Sequence, residues 1–250
     1  MGKASKKRTP FFFAIIGILI VFVGILIWSN YSKKDVLQGL PNYTEVKGDF
    51  TVTGLDLEKQ PYLGNPAAPI KVVEFADFKC PSCKNWEATN FAMFKKEFID
   101  TGKVQLFFIN YAFLDRDSYL AASAGEAIAH QNNDAFWDYY HKLYANQGKE
   151  SKIWATQSFL LDFVGKNIKG IDFNQFKQDL QNHTYMYDVK KDFKIAGHYG
   201  VNGTPTFMVN EKLLSSSKYE DLQSAILREE ENNSNIKPQA MPGRTEQEVP

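Results

Sequence analysis

Ile70-Lys-Val-Val-Glu-Phe75-Ala-Asp-Phe-Lys-Cys80-Pro-Ser-Cys83 is the stretch on which the fold turns. Its first six residues are short-range, β-branched and preceded by Asn65-Pro66 and Pro69, which predicts a strand. A helix is expected from about Ser82 to Ile99, broken near Gly102. Val104-Gln-Leu-Phe-Phe-Ile109 reads as a second strand, near-continuously apolar and so buried on both faces. A strand–helix–strand order of this kind implies parallel pairing with a right-handed crossover.

The chain's two cysteines both lie here, at the junction of the first strand and its helix. The unsatisfied N–H groups and dipole of a helix N-terminus stabilise an anion, so a Cys80 thiolate is favoured and its pKa lowered. Pro81 suits the first turn, where a missing N–H costs no intrahelical bond. Cys83, one turn further in, is close enough to attack a mixed disulfide held on Cys80. Two other readings compete with a redox-active pair. Half of a zinc site would need histidines, and His130, His141, His183 and His198 have no paired ligand spacing. A purely structural disulfide between residues three apart closes too small a loop to remove much entropy.

Further along, residues 118–199 read as several helices: 121–130, then 134–144 with Asp134 as N-cap, then 154–164, 172–180 and 185–199, closed at Gly165, Gly170 and Gly200. Strand signal returns at Thr206-Phe-Met-Val209, followed by a turn at Asn210-Glu211 and an amphipathic helix over 219–230. The aromatic stripes of these helices read as core.

The 250 residues carry 29 basic and 29 acidic side chains, are 44% hydrophobic and 23% charged, and so belong to the folded class. The net zero averages unlike parts. Residues 1–10 hold Lys3, Lys6, Lys7 and Arg8 and no acid, and the unbroken apolar run Phe11 to Trp28 follows. Over its length a helix rises roughly 27 Å, close to a bilayer's hydrocarbon thickness. Bulky residues stand where a signal peptidase needs small ones, and no cysteine is near for lipid attachment. We therefore expect an uncleaved signal anchor over 11–28, with the N-terminus cytoplasmic and the rest outside a cell membrane crossed once. The external part is acidic, so the zero charge says nothing for nucleic acid. Residues 29–60 read as a tether, 61–231 as the folded domain, and 232–250 as a disordered tail.

The stretch from Lys71 to Cys83, taken with the distant Gly203-Thr-Pro-Thr206, resembles the DsbA-like thiol:disulfide oxidoreductases of the thioredoxin superfamily, in particular their membrane-anchored Gram-positive BdbD type. The resemblance covers about residues 60–230. It implies a thioredoxin fold with a helical domain inserted at about 117–199, in keeping with the long interval between Cys83 and Pro205. It further implies that Pro205 is the family's cis-proline and Thr204 the residue that faces the disulfide, offering an edge to an extended client peptide. Glu74 stands where relatives keep a buried acid, with a raised pKa and a proton to relay to Cys83; a solvent-facing strand-end carboxylate is the other reading. Ser82 occupies the place of a histidine in strongly oxidising relatives, which implies a milder oxidant. Some Gram-positive relatives hold calcium between the two domains, and Gln60, Glu126 and Asp192 fall at the matching positions. The alternative for Glu126, alone among small residues, is a salt bridge or a place facing solvent.

The function this implies is extracytoplasmic disulfide formation in reduced or unfolded secreted and surface proteins by a monomeric enzyme. No cofactor is required for that chemistry, calcium being structural. With no further cysteine pair, reoxidation falls to a membrane quinone reductase of the DsbB or BdbC type. A reductase or isomerase kept reduced by a membrane donor, and a non-enzymatic binding module on the same scaffold, are the competing functions.

Overall fold

The structure is a computed structural model and describes residues 9–37 and 39–236. It divides into two units, Met1–Leu40 and Pro41–Pro250. The first holds helix α1, Thr9–Leu37. Described side chains in α1 cover residues 13–27, an apolar stretch of 15, and are exposed. Among the described residues no helix is long and apolar enough to cross a membrane. The basic cluster from Lys3 to Arg8 lies outside the described residues.

In the second unit, five strands form one sheet in the order β1-β3-β2-β4-β5. They are β1 (Tyr62–Leu63), β2 (Ile70–Ala76), β3 (Val104–Asn110), β4 (Thr206–Val209) and β5 (Lys212–Leu213). Strands β2 and β3 pair in parallel, from Ile70 opposite Val104 to Ala76 opposite Asn110. β4 runs antiparallel on the other side of β2, with Glu74 opposite Phe207. Every residue of β3 is buried, as its unbroken apolar run requires. The expected turn at Asn210-Glu211 closes the β4–β5 hairpin, with both residues at positive φ, 43° and 66°. That is the two-residue geometry whose twist matches antiparallel strands.

The pleat sends alternate residues of β2 to opposite faces. Val73 and Phe75 join Phe107, Ile109 and Met208 in a core closed by Ile195, Ala196 and Val201. Glu74 points to the other face, where its strand partners are Phe108 and Phe207. That face is covered by Trp86, 4.7 Å from Phe207, and by Tyr140, 5.6 Å from Phe108.

The crossover helix runs from 81 to 99 as α2 (Pro81–Trp86), a π turn (Glu87–Phe91), α3 (Ala92–Phe94) and a second π turn (Lys95–Ile99). Gly102, at φ 74°, ends it by donating its N–H to the Ile99 carbonyl. The inserted helices are α4 (Arg116–Ala129), α5 (Asn133–Ala145), α6 (Gln157–Asn167), α7 (Phe173–Asn182) and α8 (Met186–His198). Helix α9 (Tyr219–Ile236) completes the unit.

Several expected boundaries move for local reasons. Asn132 caps α5, accepting from the N–H groups of Asp134 and Ala135, so Asp134 falls inside the first turn. Gly165 lies within α6, and α7 is closed by His183 in the left-handed region. The tether expected over 29–60 is, from Pro41 onward, part of the folded unit. Tyr43 stacks on Tyr119, Lys190 Nζ donates to the Tyr43 and Val46 carbonyls, and Leu55 is buried in the sheet core. Spaced aromatic and aliphatic anchors in a polar segment lack a helix or strand period, so periodicity misses them. Helix α9 also continues into the tail expected from 232, as far as Ile236; residues 237–250 lie outside the described residues.

Candidate active site

Cys80 is the N-cap of α2 and Pro81 its first helical residue. The strand–turn–helix path leaves Cys80 7% exposed and Cys83 fully buried, with both thiols free. The Thr204–Pro205 peptide bond is cis, and Cys80 Sγ stands 3.3 Å from the Thr204 carbonyl oxygen. The structure thus brings together the motif cysteines, Ser82, Thr204 and Pro205. Beside them is an open groove of about 570 Å³, lined among others by Ser82, Trp86, Pro205 and Tyr219.

The two sulfurs are electrostatically unlike. Cys80 is brought down to about 6, first by a hydrogen bond from the Cys83 thiol, with Thr204 and the N–H groups of Cys83 and Ser82 also contributing against partial burial. Burial pushes Cys83 well up, and its hydrogen bond to Cys80 adds to the effect. A thiol that donates to its neighbour's thiolate holds its own proton more firmly. Cys80 is therefore the sulfur that reacts with solvent-borne partners, and Cys83 the one that needs a proton transfer to leave or to attack.

Glu74 is fully buried, with the Tyr140 hydroxyl 3.0 and 3.2 Å from its two oxygens. Burial raises it to about 8; the Tyr140 hydrogen bond opposes this, and the charges of Glu87 and Cys80 reinforce it. The solvent-facing alternative for this residue does not describe its position.

Sequence reasoning passed over the groups that hold the approach to Cys80. Asp77 accepts from Lys79 N, Phe113 N, Leu114 N and the Ser118 hydroxyl at 2.7 to 3.3 Å. Lys79, wholly buried, pairs with the equally buried Asp117 at 2.6 Å. Asp117 also accepts from the N–H groups of Trp154 and Ala155. Gln147 Nε2 donates to the carbonyls of Phe78 and Cys80, and the Tyr144 hydroxyl to that of Asp77. The available signal was in the quoted stretch itself. Asp77 and Lys79 are charged residues at the end of a strand otherwise reading as core, and such residues stay buried only with partners.

Gln60, Glu126 and Asp192 also meet, in a second place near the end of β3. Gln60 Nε2 donates to Asp192 Oδ1 at 2.9 Å. Asn110 donates its side-chain Nδ2 to Glu126 (2.6 Å) and its backbone N–H to Asp192 (3.0 Å). Both acids are held up by burial, Asp192 to about 7, with mutual or neighbouring acidic charge adding to the shift. The Asn110 Oδ1 oxygen is buried without a partner. Among the described residues no group of three or more His, Cys, Asp or Glu side chains is placed to hold a metal ion. The oxygen set here is two carboxylates with the amides of Gln60 and Asn110.

Residues 56–228 match the family model described as Thioredoxin. The chain is 44% identical over 170 residues to the probable disulfide bond formation protein D of Bacillus anthracis, covering 68% of this chain and 78% of that one. It is 34% identical over 189 residues to the disulfide bond formation protein D of Bacillus subtilis, covering 75% and 85%. The chain belongs to the disulfide bond formation protein D family. The oxidised crystal structure of BdbD from Bacillus subtilis superposes with a TM-score of 0.66 at 34% identity, over 73% of this chain and 98% of that one. DsbA of Chlamydia trachomatis, at 22% identity and a TM-score of 0.65 over 76% and 98%, shares the fold. As a member of the disulfide bond formation protein D family, the chain is a DsbA-like thiol:disulfide oxidoreductase that forms disulfides.

Proposed function

We propose that this enzyme oxidises reduced secreted and surface proteins outside the cytoplasm through a Cys80–Cys83 disulfide. The observation that carries the reading is the unlike pair of sulfurs, one slightly exposed beside the groove and held down to about 6, the other fully buried and pushed up. A client thiolate attacks Cys80 Sγ of the oxidised enzyme, the Cys80–Cys83 bond breaks, and Cys83 leaves with the electron pair. Glu74, in its neutral form, supplies the proton that makes Cys83 a thiol. A second client thiolate attacks the client sulfur of the mixed disulfide and releases Cys80 as a stable thiolate, a good leaving group. Two electrons pass to the enzyme and the client gains its disulfide. The Thr204 segment and the groove beside it receive the client as an extended strand.

The value of about 6 lies between about 7 for thioredoxin and about 3.5 for DsbA. It supports an oxidant milder than the latter, as Ser82 in place of a positively charged neighbour implies. Reoxidation is assigned to a membrane quinone reductase of the DsbB or BdbC type. The test is thiol trapping in growing cells. Wild-type enzyme should be recovered mainly oxidised, and Cys80→Ala should lose client oxidation entirely; an enzyme mainly reduced at steady state would point to a reductase instead.

The anchor reading rests on the apolar run Phe11 to Trp28 behind four basic residues, and on exposed Phe13, Ile18 and Ile20, which water solvates poorly. The full chain should partition with membranes and resist extraction by high salt.

A structural cation suits the Gln60, Glu126 and Asp192 cluster. Hard cations such as calcium take carboxylate and amide oxygens. A bound ion would satisfy the orphaned Asn110 oxygen and offset the burial that raises both acids above the usual carboxylate range. Chelator should lower the melting temperature of the purified protein and added calcium restore it; no response to either would remove the ion from this account.

A further inference from the structure

Asn202-Gly203 is the only asparagine–glycine pair in the chain, and it directly precedes Thr204-Pro205. The segment is held at both ends. Val201 is buried in the sheet core and donates its N–H to the Ala196 carbonyl at 3.0 Å. Pro205 is buried beside the groove, and the Thr206 hydroxyl donates to the Gly203 carbonyl at 2.7 Å. Between these anchors Asn202 is exposed. Among the described residues nothing accepts from the Gly203 N–H, and no hydrogen bond holds the Asn202 side chain. Neither space nor conformation calls for glycine at 203. A Cβ there meets nothing within 4 Å, and its φ lies outside the left-handed region.

We propose that Asn202 is a site of spontaneous deamidation, and that its isoaspartyl product displaces the Thr204 edge and slows client oxidation. The Gly203 nitrogen attacks Asn202 Cγ, the Cγ–Nδ2 bond breaks, and ammonia leaves with the proton that Gly203 gave up. The product is a cyclic imide, which water opens at either of its carbonyls. Opening at Cγ leaves aspartate in an unchanged main chain. Opening at the backbone carbonyl leaves isoaspartate, with the main chain routed through Cβ and Cγ. Nothing is oxidised or reduced; one water is consumed and one ammonia released. Two features of the site favour the attack. The nitrogen has no hydrogen bond to give up, and no Cβ on its own residue shields it. Every other asparagine in the chain precedes a residue larger than glycine.

The isoaspartyl chain is longer by one backbone carbon, inserted between two buried anchors, Val201 and Pro205. Close packing at both ends keeps them from moving apart, so Gly203 and Thr204 must absorb the added length. The Thr204 carbonyl oxygen stands 3.3 Å from Cys80 Sγ, and any shift of that peptide moves the edge an extended client meets. This consequence rests on the reading of the Thr204 segment as the client's seat. The deamidation itself does not.

The test is to age the purified full chain in mild detergent at weakly alkaline pH, map its peptides by mass, and assay isoaspartate enzymatically. Conversion of amide to acid should be fastest at Asn202, with isoaspartate the larger product. Gly203→Ala should slow the conversion several-fold, and Asn202→Gln should remove it. Each oxidised protein is then given a reduced two-cysteine client peptide, and its rate is compared with that of the same protein before ageing. The wild-type rate should fall in proportion to the isoaspartate formed, while Asn202→Gln holds its rate through the same treatment. Freshly made Asn202→Asp, which has the charge without the added carbon, should keep the rate of fresh wild type. An amide that persists at Asn202 while other asparagines convert, or an equal loss in aged Asn202→Gln, overturns the proposal. Either result leaves the oxidase reading standing, because thiol trapping tests that separately. A loss in fresh Asn202→Asp equal to that of aged wild type would overturn the chain-length argument. If isoaspartate accumulates and client oxidation is undiminished, Thr204 is not the client's seat and the consequence drawn from it fails.

Discussion

At the scale of single residues, what distinguishes this site is that two identical side chains three positions apart acquire opposite chemistry. Cys80 sits where helix N–H groups and a donated thiol proton stabilise an anion, while Cys83 is enclosed where any charge is penalised. Alkylation of the reduced native protein should modify Cys80 with a half-maximal rate near pH 6 and leave Cys83 unmodified until the protein unfolds. Equal labelling of both would contradict the asymmetry. Glu74 carries a second, independent signature. Its folded value, about 8, lies above the ordinary 4.5, so the stability it contributes is full below 4.5 and is lost as pH rises toward 8. Glu74→Gln removes that loss. The variant should gain stability relative to wild type steadily between about pH 4.5 and 8, read by denaturant titration at each pH; a constant difference would mean that the buried carboxyl does not titrate there. The motif made the cysteines legible, and the hydrogen-bonding carboxylate ahead of them had a place in it. Tyr140, Tyr144 and Gln147 were not legible as site residues, because an aromatic stripe reads as core whether or not its hydroxyls reach a buried acceptor.

At the scale of elements, the strand end that delivers Cys80 is fixed by the inserted helices. Asp77 gathers the start of α4 and the residues before it, Lys79 reaches Asp117, and Gln147 beyond α5 spans two carbonyls. Removing one partner of a fully buried ion pair strands the other charge, a loss of roughly 3–5 kcal/mol. Lys79→Ala should lower unfolding free energy by that amount. Replacing Asp117 and Lys79 together by apolar residues should recover only part of it, since Asp117 also serves the Trp154 and Ala155 N–H groups. Full recovery would mean that those backbone bonds contribute little. The principal strands and most helices were predicted from period and β-branching. The displaced boundaries came from competing local signals: a glycine tolerated inside α6, and Asn132 capping in place of Asp134. The two-residue strands β1 and β5 are too short to carry any period, and exist because neighbouring strands offer them partners.

For the molecule as a whole, the main revision concerns residues 41–60, which belong to the folded unit. Tyr43 lies on Tyr119, Lys190 holds the segment through two carbonyls, Leu55 enters the sheet core, and Gln60 meets Asp192. A chain beginning at residue 41 should be soluble and cooperatively folded. A chain beginning at residue 61 should melt several degrees lower, because it loses a buried leucine as well as the strap. Equal melting of the two would return this segment to the status of a tether.

The sequence by itself determined the redox pair, the strand and helix that present it, the insertion between that pair and Pro205, and an apolar run ahead of the domain. Those features are local: each depends on residue type at fixed spacing along one element. Only the tertiary structure decided that Glu74 is sealed between Phe108 and Phe207, that Lys79 finds Asp117, and that residues 41–60 pack. Each of these joins segments far apart in the chain, and the physical quantities that matter there, burial and the distance between charges, come into existence only when the chain has folded.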